Sequence, residues 1–167
     1  MGNLEPKPME VNLKSVVDEC IDVMDLGIKE KALLVKVVVD EKYKVWIDRD
    51  QLLIVIRNLL SNAVKFTPKG GKINIGVSEK ERPDSLTLII SDNGIGIPDS
   101  LQTKLFDPDE NFTTDGTNQE KGSGLGLKLC REIVEANLGL IKFESKSGKG
   151  STFKIMIPIS SNRTLSI

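Results

Sequence analysis

Histidine is absent from this chain of 167 residues, and that absence excludes several kinds of chemistry. Without an imidazole the chain can form neither a histidine-based catalytic triad nor a metal site with histidine ligands. Cysteine is almost as scarce, since only Cys20 and Cys130 occur, far apart and in helix-like segments. This pattern favours two buried free thiols in a reducing compartment over a disulfide.

An excess of charge and a long apolar run are also missing. The 23 Lys and Arg residues nearly balance 24 Asp and Glu, which leaves a net charge of −1. Such a balance gives no electrostatic basis for binding nucleic acid or an anionic membrane surface. The longest apolar runs, such as residues 52–56, are too short to span a bilayer. We therefore expect no nucleic-acid partner and no direct membrane contact, and the reducing compartment that the free thiols favour predicts a cytoplasmic location.

The hydrophobic periodicity predicts one mixed domain of helices and strands. We expect residues 11–160 to form the domain, residues 1–10 to be a leader or linker, and residues 161–167 to be a tail or linker. Helical spacing of apolar residues covers 12–31, 48–66, 100–105 and 125–137. Asp48 is the predicted N-cap of the second of these helices, with Gln51 at the capping-box position. Runs typical of strands cover 33–39, 45–47, 72–78, 85–91, 141–145 and 151–157. This order predicts an α/β two-layer sandwich, in which a mixed, mostly antiparallel sheet of about five strands packs on three main helices.

Two glycine clusters, at residues 92–98 and 122–127, are the most informative local feature. Glycine lets main-chain N–H groups approach a ligand without a Cβ in the way, and a helix N-terminus favours anions. The second cluster lies at the start of a predicted helix. The stretch before it, residues 106–123, shows no sustained hydrophobic periodicity and is predicted to be a loop. A loop of that length in a compact domain is usually functional. Two ordinary turns are the alternative reading.

The helix predicted at 50–66 has two contrasting faces. Its apolar face carries Leu52, Leu53, Ile56, Leu59, Leu60, Ala63 and Val64. A narrow strip opposite carries Gln51, Asn58, Asn62 and Lys65, with Phe66 at the border. A solvated polar face is the simplest explanation, but asparagine is a poor helix former and Glu or Lys would serve solubility better. Amide oxygens beside an ammonium suit a hard cation and phosphate oxygens.

Together these motifs resemble the GHKL ATPase superfamily, and specifically its sensor histidine kinases. Residues 58–66 (NLLSNAVKF) resemble the N-box, and residues 92–96 (DNGIG) resemble the G1 box. The F-box and G2 box are matched by residues 105–108 with 112–114 and by residues 122–127. The end of the chain, at residues 148–153 and 157–158, resembles the last strand pair of the family. The resemblance covers about residues 10–160 and implies a Bergerat-type fold with an ATP lid at 106–123.

The resemblance implies a site for ATP with Mg²⁺. Asn62 would coordinate Mg²⁺ with Asn58 assisting, and Lys65 would neutralise phosphate charge, so these three are the candidate catalytic residues. Asp92 would accept a hydrogen bond from the adenine amine, which matches an acceptor to a donor. Gly94 and Gly96 would let the chain pass close to the base. The full implied set for nucleotide binding is Asn58, Asn62, Lys65, Phe66, Asp92, Gly94, Gly96, Ile97, Phe106, Gly122, Ser123, Gly124, Leu125 and Gly126.

The function implied is that of the catalytic domain of a two-component sensor histidine kinase, a cytoplasmic domain whether or not its parent protein is membrane-anchored. Because the chain has no histidine, the acceptor would lie on a separate dimerisation domain, and a response regulator receiver domain would act downstream. Hydrolysing relatives carry a glutamate at the position of Asn58, and an amide cannot serve as a general base. The alternatives are a hydrolysing ATPase of this superfamily, a Ser/Thr kinase of the anti-sigma type, and a degenerate nucleotide-sensing interaction module.

Three departures from the family pattern stand out. Extra residues separate Phe106 from Phe112. No arginine lies between Phe106 and Gly122, where many family members carry a basic residue, and Lys104 or Lys121 could substitute for it. The ending of the last helix, residues 137–140, also differs from the usual family sequence, which we interpret as a structural difference rather than a catalytic one.

Overall fold

The computed structural model describes residues 5–79, 82–105, 116–117 and 126–160. The described helices are α1 (Leu13–Glu30), α2 (Arg49–Phe66), α3 (Asp99–Gln102) and α4 (Gly126–Ala136). The described strands are β1 (Met9–Asn12), β2 (Leu34–Val38), β3 (Lys44–Ile47), β4 (Lys72–Ser78), β5 (Ser85–Asp92), β6 (Leu140–Lys146) and β7 (Gly150–Pro158). None of these helices combines the length and the apolar character that crossing a membrane requires.

Five strands form the main sheet, in the order β2-β4-β5-β7-β6. Only the β2–β4 pair is parallel, and the other three pairs are antiparallel. The cross-strand neighbours Ile75, Ile90 and Phe153 share one face of the sheet, where they pack in a single core with the apolar side of α2. The predicted α/β sandwich with a mixed, mostly antiparallel five-stranded sheet is therefore confirmed.

A second, two-stranded sheet pairs β1 with β3, and the sequence did not predict it. Met9 lies opposite Ile47 and Glu10 lies opposite Trp46, so residues 9 and 10 belong to a strand rather than to a loose leader. Val11 is the one buried residue of β1. A four-residue strand with one buried position has too little alternation to be recognised from sequence alone.

The ends of the helices follow from local side chains. Asp48 caps α2, because its carboxylate accepts the N–H of Gln51 at 3.1 Å, as the sequence predicted. Asn12 caps α1 in the same way, accepting from the N–H of Ser15 at 3.0 Å. The short helix expected at 100–105 is shorter and begins one residue earlier, as α3. These caps satisfy donors that a helix N-terminus otherwise leaves without partners.

Both cysteines are buried free thiols, as their positions in helices predicted. Cys20 lies in α1 and Cys130 lies in α4. Burial disfavours the thiolate and raises the pKa of Cys20 to about 11 and that of Cys130 to about 12. Neither thiol is therefore suited to act as a nucleophile.

Candidate functional site

The polar strip of α2 is open only over its last two turns. Asn58, Asn62, Lys65 and Phe66 are each partly exposed. The amide nitrogen of Asn58 donates to the carbonyl of Ile54 at 2.8 Å. That bond leaves the amide oxygen, a good acceptor and a suitable ligand for a hard cation, directed away from its own helix backbone. The ammonium of Lys65 lies 4.9 Å from the centroid of the Phe66 ring.

The N-terminus of α4 meets this strip at Asn58. A Cβ added to Gly126, the first residue of α4, would lie 2.6 Å from the Asn58 amide oxygen. The absence of a Cβ at Gly126 therefore allows the Asn58 amide oxygen to lie this close to the backbone of α4. The positive end of the α4 dipole thus lies beside an uncharged amide, an environment that favours an anion such as a phosphate.

The first turn of the strip serves a different purpose. Gln51 is buried, and its amide oxygen accepts from the Asn137 side chain at 2.6 Å. Asn137 also donates to Ile133 O at 2.9 Å and accepts from the Asp48 N–H at 3.0 Å. This buried network joins the start of α2 to the end of α4. Gln51 therefore stabilises the packing of the two helices and is separate from the open part of the strip, and Asn137 is structural, as expected.

Asp92 ends β5 in the middle of the sheet, between Ile73 on β4 and Ser151 on β7. One carboxylate oxygen accepts the N–H of Gly94 at 2.8 Å. Burial raises the pKa of Asp92 above its ordinary value, and hydrogen bonds from the Gly94 and Ser151 backbone partly oppose that shift. A half-buried carboxylate at the end of a strand is an acceptor suited to an amine donor.

The loop after Asp92 is pressed between two parts of the protein. A Cβ on Gly94 would collide with the Phe66 carbonyl oxygen, and one on Gly96 would collide with the Lys146 carbonyl oxygen. Gly96 also adopts a positive φ of 67°, which favours glycine. Ile95 N–H donates to Phe66 O at 3.0 Å. Both glycines therefore lie close to the protein's own backbone. Their close approach to the adenine base stays a prediction.

Ile97 is held from two sides. Its N–H donates to the Ser145 hydroxyl at 2.8 Å, and its carbonyl accepts from the Gln102 side chain at 2.8 Å. The same Gln102 amide also donates to the Ser145 carbonyl at 3.0 Å. These bonds fasten the loop to β6 and to α3. The glycine-rich loop, the end of α2 and the turn between β6 and β7 therefore form one connected wall.

Lys31 is a buried side chain at this wall that sequence reasoning missed. It is 4% exposed, and its ammonium donates to Val64 O at 2.9 Å, Lys65 O at 2.8 Å and the Thr117 hydroxyl at 2.7 Å. The carbonyl partners lie 33 and 34 residues away in the chain and Thr117 lies 86 away. No local pattern around Lys31 could have indicated these contacts.

Several predicted site residues lie outside the described parts of the chain. These are Phe106, Gly122, Ser123, Gly124 and Leu125, and most of the loop at 106–123 lies there as well. Their roles stay predictions. The described residues bring together Asn58 with Gly126 and Phe66 with Gly94.

The donor set limits which metal the site could hold. Among residues 5–79, 82–105, 116–117 and 126–160, no group of three or more carboxylates or thiols could hold a metal ion. A cation beside α2 would therefore depend on amide oxygens and on oxygens supplied by its ligand. Mg²⁺ is a hard cation that is commonly bound through few protein ligands together with substrate phosphates, so the residues present fit it.

Comparison with known proteins decides the family. Residues 47–161 match the family described as histidine kinase-, DNA gyrase B-, and HSP90-like ATPase. The chain belongs to this ATPase family. The match covers the strip of α2, Asp92, both glycine clusters and the last two strands, and the resemblance inferred from the sequence motifs is confirmed.

The similar proteins are sensor kinases. The chain is 40% identical over 115 residues to the adaptive-response sensory kinase SasA of Synechococcus sp. (strain JA-2-3B'a(2-13)), which covers 69% of this chain and 30% of SasA. It is 32% identical over 138 residues to the sensor histidine kinase WalK of Bacillus subtilis (strain 168), which covers 83% of this chain and 23% of WalK. The chain thus spans about a third or less of these relatives.

The fold matches a solved histidine kinase domain over nearly its whole length. The nucleotide-free catalytic domain of histidine kinase ThkA superposes with a TM-score of 0.77 and 28% identity, covering 92% of this chain and 96% of that domain. ThkA in complex with the response regulator protein TrrA superposes with a TM-score of 0.76 and 25% identity, covering 95% of this chain and 44% of ThkA.

Proposed function

We propose that the domain predicted at residues 11–160, which β1 extends back to Met9, binds ATP with Mg²⁺ and acts as the catalytic domain of a two-component sensor histidine kinase. The domain would transfer the γ-phosphoryl group to a histidine on a separate dimerisation domain. The observation that carries this proposal is the contact of Asn58 with Gly126, because it places an amide oxygen beside the N-terminus of α4. The similarity to sensor kinases supports the same conclusion.

The roles of the residues follow from their chemistry. Asn62 holds Mg²⁺, Asn58 assists, and Lys65 neutralises charge on the phosphates. Mg²⁺, when bound, offsets the negative charge of the phosphates. Asn58 offers no group that could activate water, so the domain aligns ATP for transfer rather than for hydrolysis.

Asp92 and the wall around it are the proposed adenine site. The carboxylate accepts a hydrogen bond from the exocyclic amine of the base, and Phe66 packs against the adenine or ribose. The bonds from Ser145 and Gln102 to Ile97 hold the loop that follows Asp92 in place before the nucleotide arrives. Because the loop is already ordered, nucleotide binding loses less conformational entropy of the protein.

The proposed partners are a dimerisation domain with the acceptor histidine and, downstream, a response regulator receiver domain. The structure of ThkA with TrrA supports the second partner by analogy. Because ATP and receiver domains occur in the cytoplasm, we place this domain there.

A phosphotransfer assay tests the proposal. The chain is mixed with histidine-bearing dimerisation domains of candidate parent kinases and with ATP labelled on the γ-phosphate. We expect acid-labile phosphohistidine on the added domain, and none with Asn62→Ala. Asn74→Ala is the matched control, because Asn74 is an exposed asparagine on β4. Free phosphate without phosphohistidine would indicate a hydrolysing ATPase, phosphoserine on an added protein would indicate a Ser/Thr kinase, and no nucleotide binding would indicate a degenerate module.

A further inference from the structure

The C-terminal end of α2 is capped by the side chain of Lys31, the residue that follows α1. The last carbonyls of a helix have no partners within it and carry partial negative charge. The ammonium of Lys31 donates to two of them, Val64 O at 2.9 Å and Lys65 O at 2.8 Å. Lys31 is nearly fully buried, so this cation stays in a fixed position. The ammonium thus contacts the backbone of the last turn of α2, which carries Lys65 and Phe66.

Thr117 completes the same cluster from a distant part of the chain. Its hydroxyl accepts from the Lys31 ammonium at 2.7 Å and lies 3.2 Å from Lys65 O and 3.3 Å from Thr67 O. A hydroxyl has one proton and two lone pairs, so it can accept from Lys31 and donate to either carbonyl. The Thr117 N–H also donates to Lys65 O, at 3.1 Å.

The cluster fixes one point of the connection between α3 and α4. Thr117 lies within residues 106–123, and its contacts with Lys31 and with the Lys65 carbonyl tie this one residue to the end of α2. The Lys65 carbonyl accepts from both Lys31 and Thr117. The backbone of a proposed phosphate-binding residue and the connection to α4 are therefore held by the same group.

We propose that Lys31 is a positioning residue for nucleotide binding, which holds Thr117 against the end of α2. It does not touch the nucleotide and acts through Thr117 and through the backbone of Lys65. This inference rests on the proposed function, and it adds a residue outside all four sequence motifs to the set that determines ATP affinity.

Two pairs of variants test the inference by calorimetric titration with Mg·ATP. Thr117→Val removes the hydroxyl at nearly constant volume, and Thr117→Ser keeps it. Lys31→Met removes the ammonium, and Lys29→Met is its control, because Lys29 is an exposed lysine on α1 whose partner is Asp25. We expect the Kd to rise about tenfold for Thr117→Val and for Lys31→Met, with little change for Thr117→Ser and Lys29→Met. The variant with both substitutions should bind Mg·ATP as tightly as the single variant with the higher Kd, because both substitutions remove the same contact.

Exchange of the Thr117 amide proton separates this inference from the proposed function, because it requires no ATP. Lys31→Met and Thr117→Val should both speed exchange of that proton in the nucleotide-free chain. Wild-type affinity in both variants, or losses that multiply in the double variant, would overturn the positioning role while leaving ATP binding intact. A purely structural role would lower the melting temperature of Lys31→Met without changing the Kd. A wild-type chain that binds no Mg·ATP would refute the proposed function. Independently of that result, unchanged exchange of the Thr117 amide proton in both variants would refute the claim that Lys31 holds Thr117 against α2.

Discussion

Replacement of Gly126 by alanine should separate nucleotide affinity from stability. The added Cβ would lie 2.6 Å from the Asn58 amide oxygen, whereas ordinary van der Waals contacts begin at 3.4 Å. The amide must therefore move by about 0.8 Å. Because the clashing atom is the end of a flexible side chain, the move costs little folding energy, and alanine is a better helix former than glycine. We expect a change of less than about 1 kcal/mol in the free energy of unfolding.

The same displacement should weaken binding of Mg·ATP strongly. A misplaced ligand to a charged group costs about 1.5–3 kcal/mol, which corresponds to roughly a 10- to 100-fold rise in Kd. Calorimetric titration measures this change, and urea denaturation measures stability. Gly76→Ala is the matched control, because a Cβ there meets its nearest atom, Val38 O, at 3.9 Å.

A double-mutant cycle decides whether the effect passes through Asn58. Asn58→Ala removes the atom with which the new Cβ would collide. Gly126→Ala should therefore have little further effect on the Kd in the Asn58→Ala background. Wild-type affinity in Gly126→Ala, or full multiplication of the two losses, would refute the reasoning.

Three further substitutions probe stability. Ala32→Gly should raise the free energy of unfolding by about 0.5–1 kcal/mol, measured in urea, because Ala32 adopts a φ of 47° that glycine accepts without strain. Asn137→Ala should lower it by about 1–3 kcal/mol, because the buried Gln51 oxygen loses its donor; an unchanged midpoint would contradict this. Asp92→Asn should raise the melting temperature at pH 7 while weakening ATP binding. Because folding raises the pKa of Asp92, protonation of this carboxyl stabilises the folded wild type. The difference in melting temperature between Asp92→Asn and the wild type should therefore shrink as the pH falls towards the ordinary pKa of 3.8. A difference that grows on acidification would contradict the argument from burial.

The sequence predicted what depends on local periodicity and on single-residue chemistry. Helix α2, its cap at Asp48 and its open strip follow from a period of 3.6 residues and from the poor helix propensity of asparagine. Gly94, Gly96 and Gly126 were recognised as special, because glycine is costly where no close approach requires it. Their actual neighbours, two carbonyl oxygens and one amide, could not be predicted from spacing.

The features that sequence reasoning missed all depend on contacts between distant residues. Gln51 has the same helical phase as the open strip, but α4 buries it through Asn137, 86 residues away. Strand β1 exists because β3 pairs with it, and its own sequence is too short to indicate a strand. Lys31 looks like an ordinary surface lysine at the end of α1, and only the arrival of α2 and Thr117 gives its ammonium a buried position.

Titration of the wild-type chain and of Asn62→Ala with ATP, with and without Mg²⁺, tests the central claim most directly. The account predicts that the wild type binds ATP more tightly when Mg²⁺ is present, and that Asn62→Ala loses this dependence while Asn74→Ala keeps it. A wild type that binds no ATP, or an Asn62→Ala variant with the same Mg²⁺-dependent affinity as the wild type, would contradict the assignment of the α2 strip as the Mg·ATP site.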